Sequence, residues 1–309
     1  MKKNSRIYVA GHTGFVGSAL TRRLKALGFK NLILKTRKEI DLADQGKVNK
    51  LFRTLRPEYV FLLAAKVGGI RANNIYPADF IYQNIAIASN VIQAAYRYKA
   101  KKLLFPGSAC MFPKYCPQPM KEDYLLTGSI EPTNEPFAVA KIAGVKMCQV
   151  YNRQYKTKFI SVVPATIYGP GDHFNVDGHV MAALIEKFYG RQVNVWGTGK
   201  PKREFIFIDD VVNALIFLMQ NYSGSQIINI GTGVEVSIKN LAQKIKDITL
   251  FKGKVTFDIS KPDGMLRRLL DSTKLLDMGW KPKVNLEEGI KLTCQWYKAS
   301  YNKIRKNRI

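Results

Sequence analysis

A short apolar strand followed at once by a glycine-rich turn is the feature that most constrains the fold of this chain. Gly11, Gly14 and Gly17 follow the strand-like segment at residues 7–10, and a helical stretch follows the glycines. Glycine here permits a tight turn and the close approach of a pyrophosphate, and the helix N-terminus favours negative charge. The strand–turn–helix context predicts dinucleotide binding. We expect the cofactor to contact Gly11, His12, Thr13, Gly14, Phe15, Val16 and Gly17.

Strand-like and helix-like segments alternate through the first two thirds of the sequence. The predicted strands are residues 6–10, 31–35, 59–63, 102–105 and 159–163, and the predicted helices are 18–27, 45–55, 84–98 and 137–155. This alternation predicts an α/β fold of the Rossmann type, in which a doubly wound parallel sheet carries helices on both faces.

Beyond Pro164 the pattern becomes irregular. Further helices are predicted at 179–189 and 286–301, and further strands at 193–196 and 204–208. Asp209 and Asp210 are expected to cap one more helix, and Ser237 another. We expect a Rossmann domain over residues 1–165 and a smaller α/β substrate lobe over 166–309. Segments around 205–235 are expected to return to the first domain.

The net charge of +26 is the unusual property of the composition. Nucleic-acid binding is one interpretation of such a charge. The other is a lysine-rich chain that attracts an anionic cofactor and substrate. Lys and Arg are scattered along the whole chain, so we favour the second interpretation and expect no nucleic-acid partner.

Composition also limits where the protein acts. No apolar run approaches the roughly 18 residues of a membrane span, and no segment resembles an export signal. The four cysteines show no metal-ligand spacing. We therefore expect a cytoplasmic protein with reduced thiols, no bound metal and no membrane contact.

The end of the second predicted strand indicates which dinucleotide is bound. An acidic residue there would hold the ribose 2′-hydroxyl of NAD, but the chain has Lys35-Thr36-Arg37-Lys38. Cations suit a 2′-phosphate, so NADP(H) is favoured, with Arg37 as the first candidate for the contact. A solvated basic turn is the alternative interpretation. Asp41 and Leu42 are then expected near the adenine.

Longer motifs identify a family. In chain order they are Ala65-Lys66-Val67-Gly68-Gly69-Ile70, Gly107-Ser108-Ala109-Cys110, Glu131-Pro132-Thr133-Asn134-Glu135-Pro136, Lys141-Ile142-Ala143-Gly144, Trp196-Gly197, Arg203-Glu204-Phe205 and Gly231-Thr232-Gly233. With these motifs the chain resembles, over essentially its whole length, the GDP-L-fucose synthases, which are extended short-chain dehydrogenases/reductases. The resemblance implies NADPH-dependent 3,5-epimerisation and 4-reduction of GDP-4-keto-6-deoxy-D-mannose. It also implies a homodimer and a GDP-sugar substrate.

The resemblance assigns roles residue by residue. Cys110 and His179 match the epimerisation pair, and a thiol and an imidazole can both exchange protons near neutral pH. Ser108 would hydrogen-bond the C4 oxygen, and Lys141 would hold the nicotinamide ribose. The other implied cofactor contacts are Ala64, Ala65, Pro106, Gly107, Pro164, Ala165, Thr166, Ile167 and His179. The implied GDP-sugar contacts are Ser108, Lys187, Trp196, Arg203 and Asp263.

Position 137 departs from the family pattern. A Tyr-x-x-x-Lys motif should supply a phenol one helical turn before Lys141, and the chain has Phe137. Losing a general acid typically costs about 10²–10⁴-fold in rate. The family also leads us to expect Asn where Thr166 stands, and more polar residues than Met265 and Leu266.

Three explanations of Phe137 stay open. The first is an engineered Tyr→Phe change, and the second is a natural replacement in which water held by Ser108 and Lys141 supplies the proton. The third is a binding protein for NADP and a nucleotide sugar that has lost turnover. A related epimerase or reductase acting on another keto-sugar is a further alternative for the function.

Overall fold

The computed structural model describes residues 1–174, 178–261 and 263–306. The chain folds into two compact units, each of which is discontinuous in sequence. The first comprises Met1–Cys116, Glu122–Pro164 and Val212–Ile230, and the second comprises Pro117–Lys121, Ala165–Val211 and the chain from Gly231 onward. Among the described residues, no helix is both long and apolar enough to cross a membrane.

Strands and helices alternate along most of the chain. The strands are β1 (Ile7–Ala10), β2 (Leu32–Ile33), β3 (Tyr59–Leu62), β4 (Lys102–Pro106), β5 (Phe159–Pro164), β6 (Thr166–Tyr168), β7 (Val193–Trp196), β8 (Lys202–Phe207), β9 (Ile228–Ile230), β10 (Glu235–Ser237), β11 (Val255–Asp258) and β12 (Arg267–Arg268). The helices are α1 (Phe15–Ala26), α2 (Gln45–Leu55), α3 (Ile70–Ile75), α4 (Pro77–Arg97), α5 (Glu135–Tyr155), α6 (Val180–Phe188), α7 (Ile208–Asn221), α8 (Ile238–Thr249), α9 (Thr273–Asp277) and α10 (Leu286–Lys306).

A parallel sheet forms the centre of the first unit. Its strand order within the described residues is β2-β1-β3-β4-β5-β9, and each neighbouring pair runs parallel. All four residues of β1 are buried, as are the first four residues of β4, which are Lys102, Leu103, Leu104 and Phe105. Near-continuous burial is expected where helices cover both faces of a sheet. The predicted α/β class with a parallel central sheet is confirmed.

Strand β8 organises the second unit. It pairs in parallel with β6 and β12 and antiparallel with β10, while β7 and β11 form a separate parallel pair. The buried carboxylate of Glu204 on β8 accepts hydrogen bonds from the backbone N–H groups of Thr232, Gly233 and Leu270. Burial raises the pKa of Glu204. One acidic side chain therefore ties three segments of this unit together.

The acidic pair after β8 does not act as the predicted helix cap. Helix α7 begins at Ile208, so Asp209 and Asp210 lie in its first turn. The Asp210 carboxylate accepts hydrogen bonds from the backbone N–H groups of Lys283 and Val284 instead. The prediction for Ser237 is confirmed, because its hydroxyl accepts the Asn240 N–H at 3.1 Å at the start of α8.

Candidate active site

The glycine loop between β1 and α1 is shaped by two close backbone contacts. Gly11 has a φ of +85°, and a Cβ there would lie 2.7 Å from the Ala64 backbone nitrogen. A Cβ on Gly17 would lie 2.0 Å from the Gly11 carbonyl oxygen. The first glycine is therefore required by conformation and packing, and the last lets α1 rest directly on the loop.

Gly14 differs from the other two glycines. The nearest atom to a Cβ at this position would be the Gly11 oxygen at 3.4 Å, which is an ordinary contact. Gly14 caps α1 without a side-chain hydrogen bond, and the first turn of α1 contains no acidic residue. The helix N-terminus thus keeps its partial positive charge and an uncrowded surface, which fits the pyrophosphate of a dinucleotide. Thr13 and Gly14 are exposed, while His12, Phe15 and Val16 are partly buried around them.

The basic segment after β2 is organised by one acidic side chain. Glu39 pairs with Lys35 at 2.8 Å and accepts hydrogen bonds from the backbone and hydroxyl of Thr36. Lys35 is therefore partly neutralised, whereas Arg37 is exposed in the turn. Arg37, like Lys38, is therefore more accessible to a ligand phosphate than Lys35.

The loop that follows is held in place by hydrogen bonds. The Asp41 carboxylate accepts the Ala43 N–H at 3.0 Å, and Leu42 is buried. From α4, the Asn90 amide donates to the carbonyl oxygens of Leu42 and Ala43. Nothing in the sequence pattern had indicated this function for Asn90.

The segment after β3 is fixed by a second asparagine on α4. Asn84 accepts the Lys66 N–H at 2.8 Å and donates to the Lys66 carbonyl at 3.0 Å. This paired contact holds the chain that follows Ala64 and Ala65, and Ala64 itself lies against Gly11. The carboxyl end of β3 is therefore fixed beside the glycine loop.

Three predicted site residues follow β4. Pro106 ends the strand, and Gly107 and Ser108 lead into a short 3₁₀ turn that contains Cys110. The Cys110 thiol donates to the Ser108 hydroxyl at an Sγ–Oγ distance of 3.3 Å. Cys110 is buried, with 6% of its surface exposed. Cys110, the thiol predicted to transfer a proton, is thus hydrogen-bonded to Ser108, the hydroxyl predicted to bind the C4 oxygen of the substrate.

Lys141 reaches the same region from α5. Its Nζ atom donates to the Pro106 carbonyl at 2.9 Å and lies 4.6 Å from the centre of the Phe105 ring. Burial lowers the pKa of Lys141 to about 8, and the nearby Cys110 acts in the opposite direction. An amine with this pKa can give up or take a proton near neutral pH.

Phe137 lies within the same cluster. Its ring centre is 5.7 Å from the Lys141 Nζ atom and 6.5 Å from the Phe80 ring, which it meets edge-on. The ring is partly buried and is packed as an ordinary aromatic side chain. The first unit thus brings together Ser108, Cys110, Phe137 and Lys141.

The predicted nicotinamide-contacting segment spans the end of β5 and the start of β6. Pro164 is the last residue of β5 and pairs with Ile230 of β9. Ala165 is buried, and Thr166 and Ile167 pair with Phe205 and Ile206 of β8. Thr166 and Ile167 are partly buried in their strand.

His179 stands immediately before α6, in the second unit. Its Nδ1 atom lies 3.0 Å from an oxygen of Asp172, and its side chain is 53% exposed whereas that of Asp172 is 1% exposed. The hydrogen bond to Asp172 raises the pKa of His179. Asp172 was not among the predicted site residues. Its place in a glycine-rich loop seven residues before a histidine was the only signal in the sequence.

Two predicted substrate contacts in the second unit lie side by side. The Lys187 ammonium lies 5.5 Å from the centre of the Trp196 ring and donates to the Asn194 carbonyl at 2.7 Å. Burial lowers the pKa of Lys187. Trp196 is half exposed, at 50%. A cation beside an exposed flat ring can serve a nucleotide, because it offers charge to the phosphates and a stacking surface to an apolar group.

Arg203 and Asp263 are the other two predicted GDP-sugar contacts in the second unit. The Asp263 carboxylate accepts the backbone N–H of Thr198 at 2.7 Å and its hydroxyl at 2.8 Å. Burial and the neighbouring Arg268 lower the pKa of Arg203 to about 10, and Asp263 partly offsets this. Arg268 pairs in register with Arg203 across β12 and β8. Two adjacent guanidinium groups favour an anionic ligand such as a diphosphate.

No group of three or more His, Cys, Asp or Glu side chains within residues 1–174, 178–261 and 263–306 is arranged to hold a metal ion. The side chains described above offer groups for proton transfer and for anion binding. Both properties are suited to a nicotinamide dinucleotide. One end of such a cofactor would lie at the glycine loop and α1, and the other end would lie at Lys141.

Known proteins match this chain over most of its length. The profile described as the NAD dependent epimerase/dehydratase family matches residues 7–231. The chain is 51% identical over 302 residues to GDP-L-fucose synthase 1 of Arabidopsis thaliana, covering 96% of this chain and 94% of that protein.

Solved structures are similar over the full length. A GDP-6-OMe-4-keto-L-xylo-heptose reductase from C. jejuni superposes with a TM-score of 0.92 at 40% identity, covering 97% of this chain and 99% of the other. A GDP-L-fucose synthetase from Naegleria fowleri bound to NADP superposes with a TM-score of 0.90 at 30% identity, covering 98% and 96%.

Proposed function

The chain belongs to the NAD dependent epimerase/dehydratase family, and from this premise we propose that it is an NADPH-dependent GDP-L-fucose synthase. It converts GDP-4-keto-6-deoxy-D-mannose to GDP-L-fucose by epimerisation at C3 and C5 and reduction at C4. The observation that carries this proposal is the 51% identity over 302 residues to a GDP-L-fucose synthase. The cluster of Ser108, Cys110 and Lys141 supplies the matching chemistry.

Epimerisation is assigned to Cys110 and His179. The C4 ketone acidifies the protons on C3 and C5, so a base can remove one and leave an enolate. In the roles that the family resemblance implies, the Cys110 thiolate takes the proton as the C–H bond breaks, and the His179 imidazolium supplies a proton to the enolate. Ser108 donates a hydrogen bond to the C4 oxygen, where negative charge develops.

Reduction at C4 requires a hydride and a proton. NADPH, when bound, supplies the hydride. Phe137 has no hydroxyl to give the proton, so Lys141 is its source, through a water molecule held by Ser108. A water-mediated route is less well positioned than a phenol, and the rate of reduction is accordingly low.

We propose NADP(H) as the cofactor in preference to NAD(H). Arg37 is exposed after β2, while Lys35 is partly neutralised by Glu39. A guanidinium group suits a 2′-phosphate because it donates two parallel hydrogen bonds. The Naegleria fowleri structure bound to NADP supports this choice.

A second keto-sugar is the main alternative. The similarity to a GDP-6-OMe-4-keto-L-xylo-heptose reductase favours a substrate with a longer carbon chain. Such a difference between substrates would be recognised at positions where we expected more polar residues, namely Thr166, Met265 and Leu266. Met265 is buried and Leu266 is 71% exposed.

The deciding experiment supplies GDP-4-keto-6-deoxy-D-mannose and NADPH in deuterated water. Loss of nicotinamide absorbance with deuterium at C3 and C5 of the product supports the proposal. Reduction without deuterium at C3 and C5 would indicate a reductase alone. Binding of both ligands by calorimetry, with no turnover in the wild type or in Phe137→Tyr, would indicate a binding protein and contradict the proposal.

We also propose a homodimer formed through α4 and α5. These helices pack together and expose apolar side chains on both, including Tyr82 (69%), Ile85 (38%) and Val150 (40%). Apolar surface on adjacent helices is suited to pairing with a second copy. Tyr82→Glu should then yield monomers in sedimentation experiments, whereas a matched change at Tyr115, exposed on a loop, should not.

A cytoplasmic location is part of the proposal. All four cysteines lie in the described residues and are free thiols. Free thiols are expected in a reducing compartment.

A further inference from the structure

Asp172 is a buried carboxylate whose two oxygens have different surroundings. One oxygen accepts the backbone N–H of His173 at 2.7 Å and lies 3.0 Å from Nδ1 of His179. The other oxygen is buried and has no hydrogen-bond partner among the described residues. The side chain is only 1% exposed.

A carboxylate in this position requires a compensating charge. Burying an unpaired charge is costly, and the usual solution in proteins is a cation within contact distance. Within residues 1–174, 178–261 and 263–306, the ion-pair partner of Asp172 is His179. No other charged group of the described chain shifts the pKa of His179.

We propose that Asp172 is the positioning residue of His179 in the epimerisation step, an inference that rests on the proposed function. By engaging Nδ1, Asp172 fixes the ring and leaves Nε2 as the atom that exchanges a proton with the substrate. The same contact decides which tautomer remains after the proton has left.

In the proposed step, one proton leaves the substrate and another is added to it. The substrate C–H bond breaks, and its proton goes to the Cys110 thiolate. A new C–H bond forms with the proton from Nε2 of the His179 imidazolium, which becomes neutral and keeps its Nδ1–H on Asp172. The half-exposed His179 ring then regains a proton from solvent, and the Cys110 thiol releases its proton to solvent, so that both groups return to their starting states.

A purely structural function for Asp172 makes a different prediction. The His173 N–H bond could stabilise the loop without any effect on proton transfer. Asp172→Asn keeps the size of the side chain and an oxygen for that N–H, but it removes the negative charge facing Nδ1. The charge-dependent and loop-stabilising functions can therefore be separated.

Histidine titration by NMR tests the proposal without substrate. The chain contains three histidines, His12, His173 and His179, and the His179→Gln spectrum assigns the third signal. In the wild type we expect His179 to titrate above the ordinary value of 6.5. In Asp172→Asn it should titrate at or below that value. An unchanged His179 titration in Asp172→Asn would overturn the proposal.

Two further variants control this measurement. Asp172→Glu retains the charge and should restore at least part of the elevated titration. Asp210→Asn removes another buried carboxylate of the second unit, which binds the backbone at Lys283 and Val284. It should lower stability but leave the His179 titration in place. A shift in Asp210→Asn as large as that in Asp172→Asn would also contradict a specific function for Asp172.

The kinetic test uses deuterium incorporation at C3 and C5. Asp172→Asn should slow incorporation about 10²-fold, the lower end of the range for a lost proton-transfer group, with the KM for NADPH unchanged. Asp172→Glu should recover part of the rate. The failure of the proposed function can be told apart from the failure of the Asp172 proposal. If the proposed function is wrong, deuterium incorporation is absent in the wild type as well, and the titration result is unaffected.

Discussion

The Nζ atom of Lys141 lies 5.7 Å from the centre of the Phe137 ring, one turn away on α5. The nearest polar partner of that ammonium is the Pro106 carbonyl, at 2.9 Å. A phenol at position 137 would add a hydroxyl beside a cation that stabilises its ionised form. The site therefore keeps the Lys141 ammonium, which would make a neighbouring phenol more acidic, but it has no phenol at position 137 to act as the general acid.

Phe137→Tyr should raise the rate of NADPH oxidation about 10²–10⁴-fold, because it restores a positioned proton donor. Stopped-flow measurement of nicotinamide absorbance would detect the change. The control is the same substitution in a Lys141→Met background, where the phenol lacks its cation and the gain should be much smaller. Equal rates in the wild type and Phe137→Tyr would contradict the assignment.

Gly14→Ala and Gly17→Ala form a matched pair. A Cβ on Gly17 would collide with the Gly11 oxygen at 2.0 Å, so we expect this variant to lose about 3 kcal/mol or more in free energy of unfolding. A Cβ on Gly14 meets nothing closer than 3.4 Å, so that variant should fold normally and lose affinity for NADPH. Urea unfolding and calorimetry would separate the two outcomes. Normal NADPH binding by Gly14→Ala would contradict a pyrophosphate site at this residue.

Arg37→Ala should raise the KM for NADPH about tenfold to a hundredfold, since a hydrogen bond to a charged group contributes about 1.5–3 kcal/mol. The KM for NADH, which has no 2′-phosphate, should stay nearly constant. Lys50→Ala, an exposed charge on α2, controls for the loss of one positive charge from the chain. Equal weakening of both cofactors by Arg37→Ala would place the phosphate contact elsewhere.

Lys141 gives the stability of the free protein a pH dependence. Its pKa is about 8 in the folded state against an ordinary value of 10.5, so the unfolded chain binds the proton more tightly. The contribution of Lys141 to the free energy of unfolding is therefore lowest below pH 8, and it rises between pH 8 and 10.5. The full difference corresponds to about 3 kcal/mol.

Lys141→Met should remove this dependence. We expect the variant to be more stable than the wild type at pH 7, and the difference should shrink as the pH approaches 10.5. Urea unfolding of both proteins across this range provides the measurement. A variant that is less stable at every pH would show that the Pro106 hydrogen bond outweighs the cost of burying the ammonium.

Local patterns predicted much of the fold. The bounds of α2 and β7 agree with the predictions for 45–55 and 193–196, because periodicity and turn residues at their ends are clear. Helix α4 begins at Pro77, seven residues before the predicted start at 84. Proline at the first helical position marks the true start, whereas the prediction rested on apolar residues at helical spacing from Asn84 onward.

Contacts between distant segments could not be predicted. Asp210 binds the backbone at Lys283 and Val284, more than seventy residues away, and no local pattern distinguishes that function from a helix cap. Asp172 is likewise identified only by its burial and by its distance to His179. Residue type and spacing indicate which chemistry is available, whereas the partner of each side chain depends on tertiary packing.

The contact of Gly17 with the Gly11 carbonyl has a consequence for cofactor exchange. Because the start of α1 lies directly against the backbone of the loop, the shape of this turn is set by the packing of the chain itself. Entry of a dinucleotide then requires no ordering of this segment, and its affinity is not reduced by such a cost. Spent and fresh cofactor can replace each other at a rate set by dissociation and diffusion, with no refolding of the loop between successive turnovers.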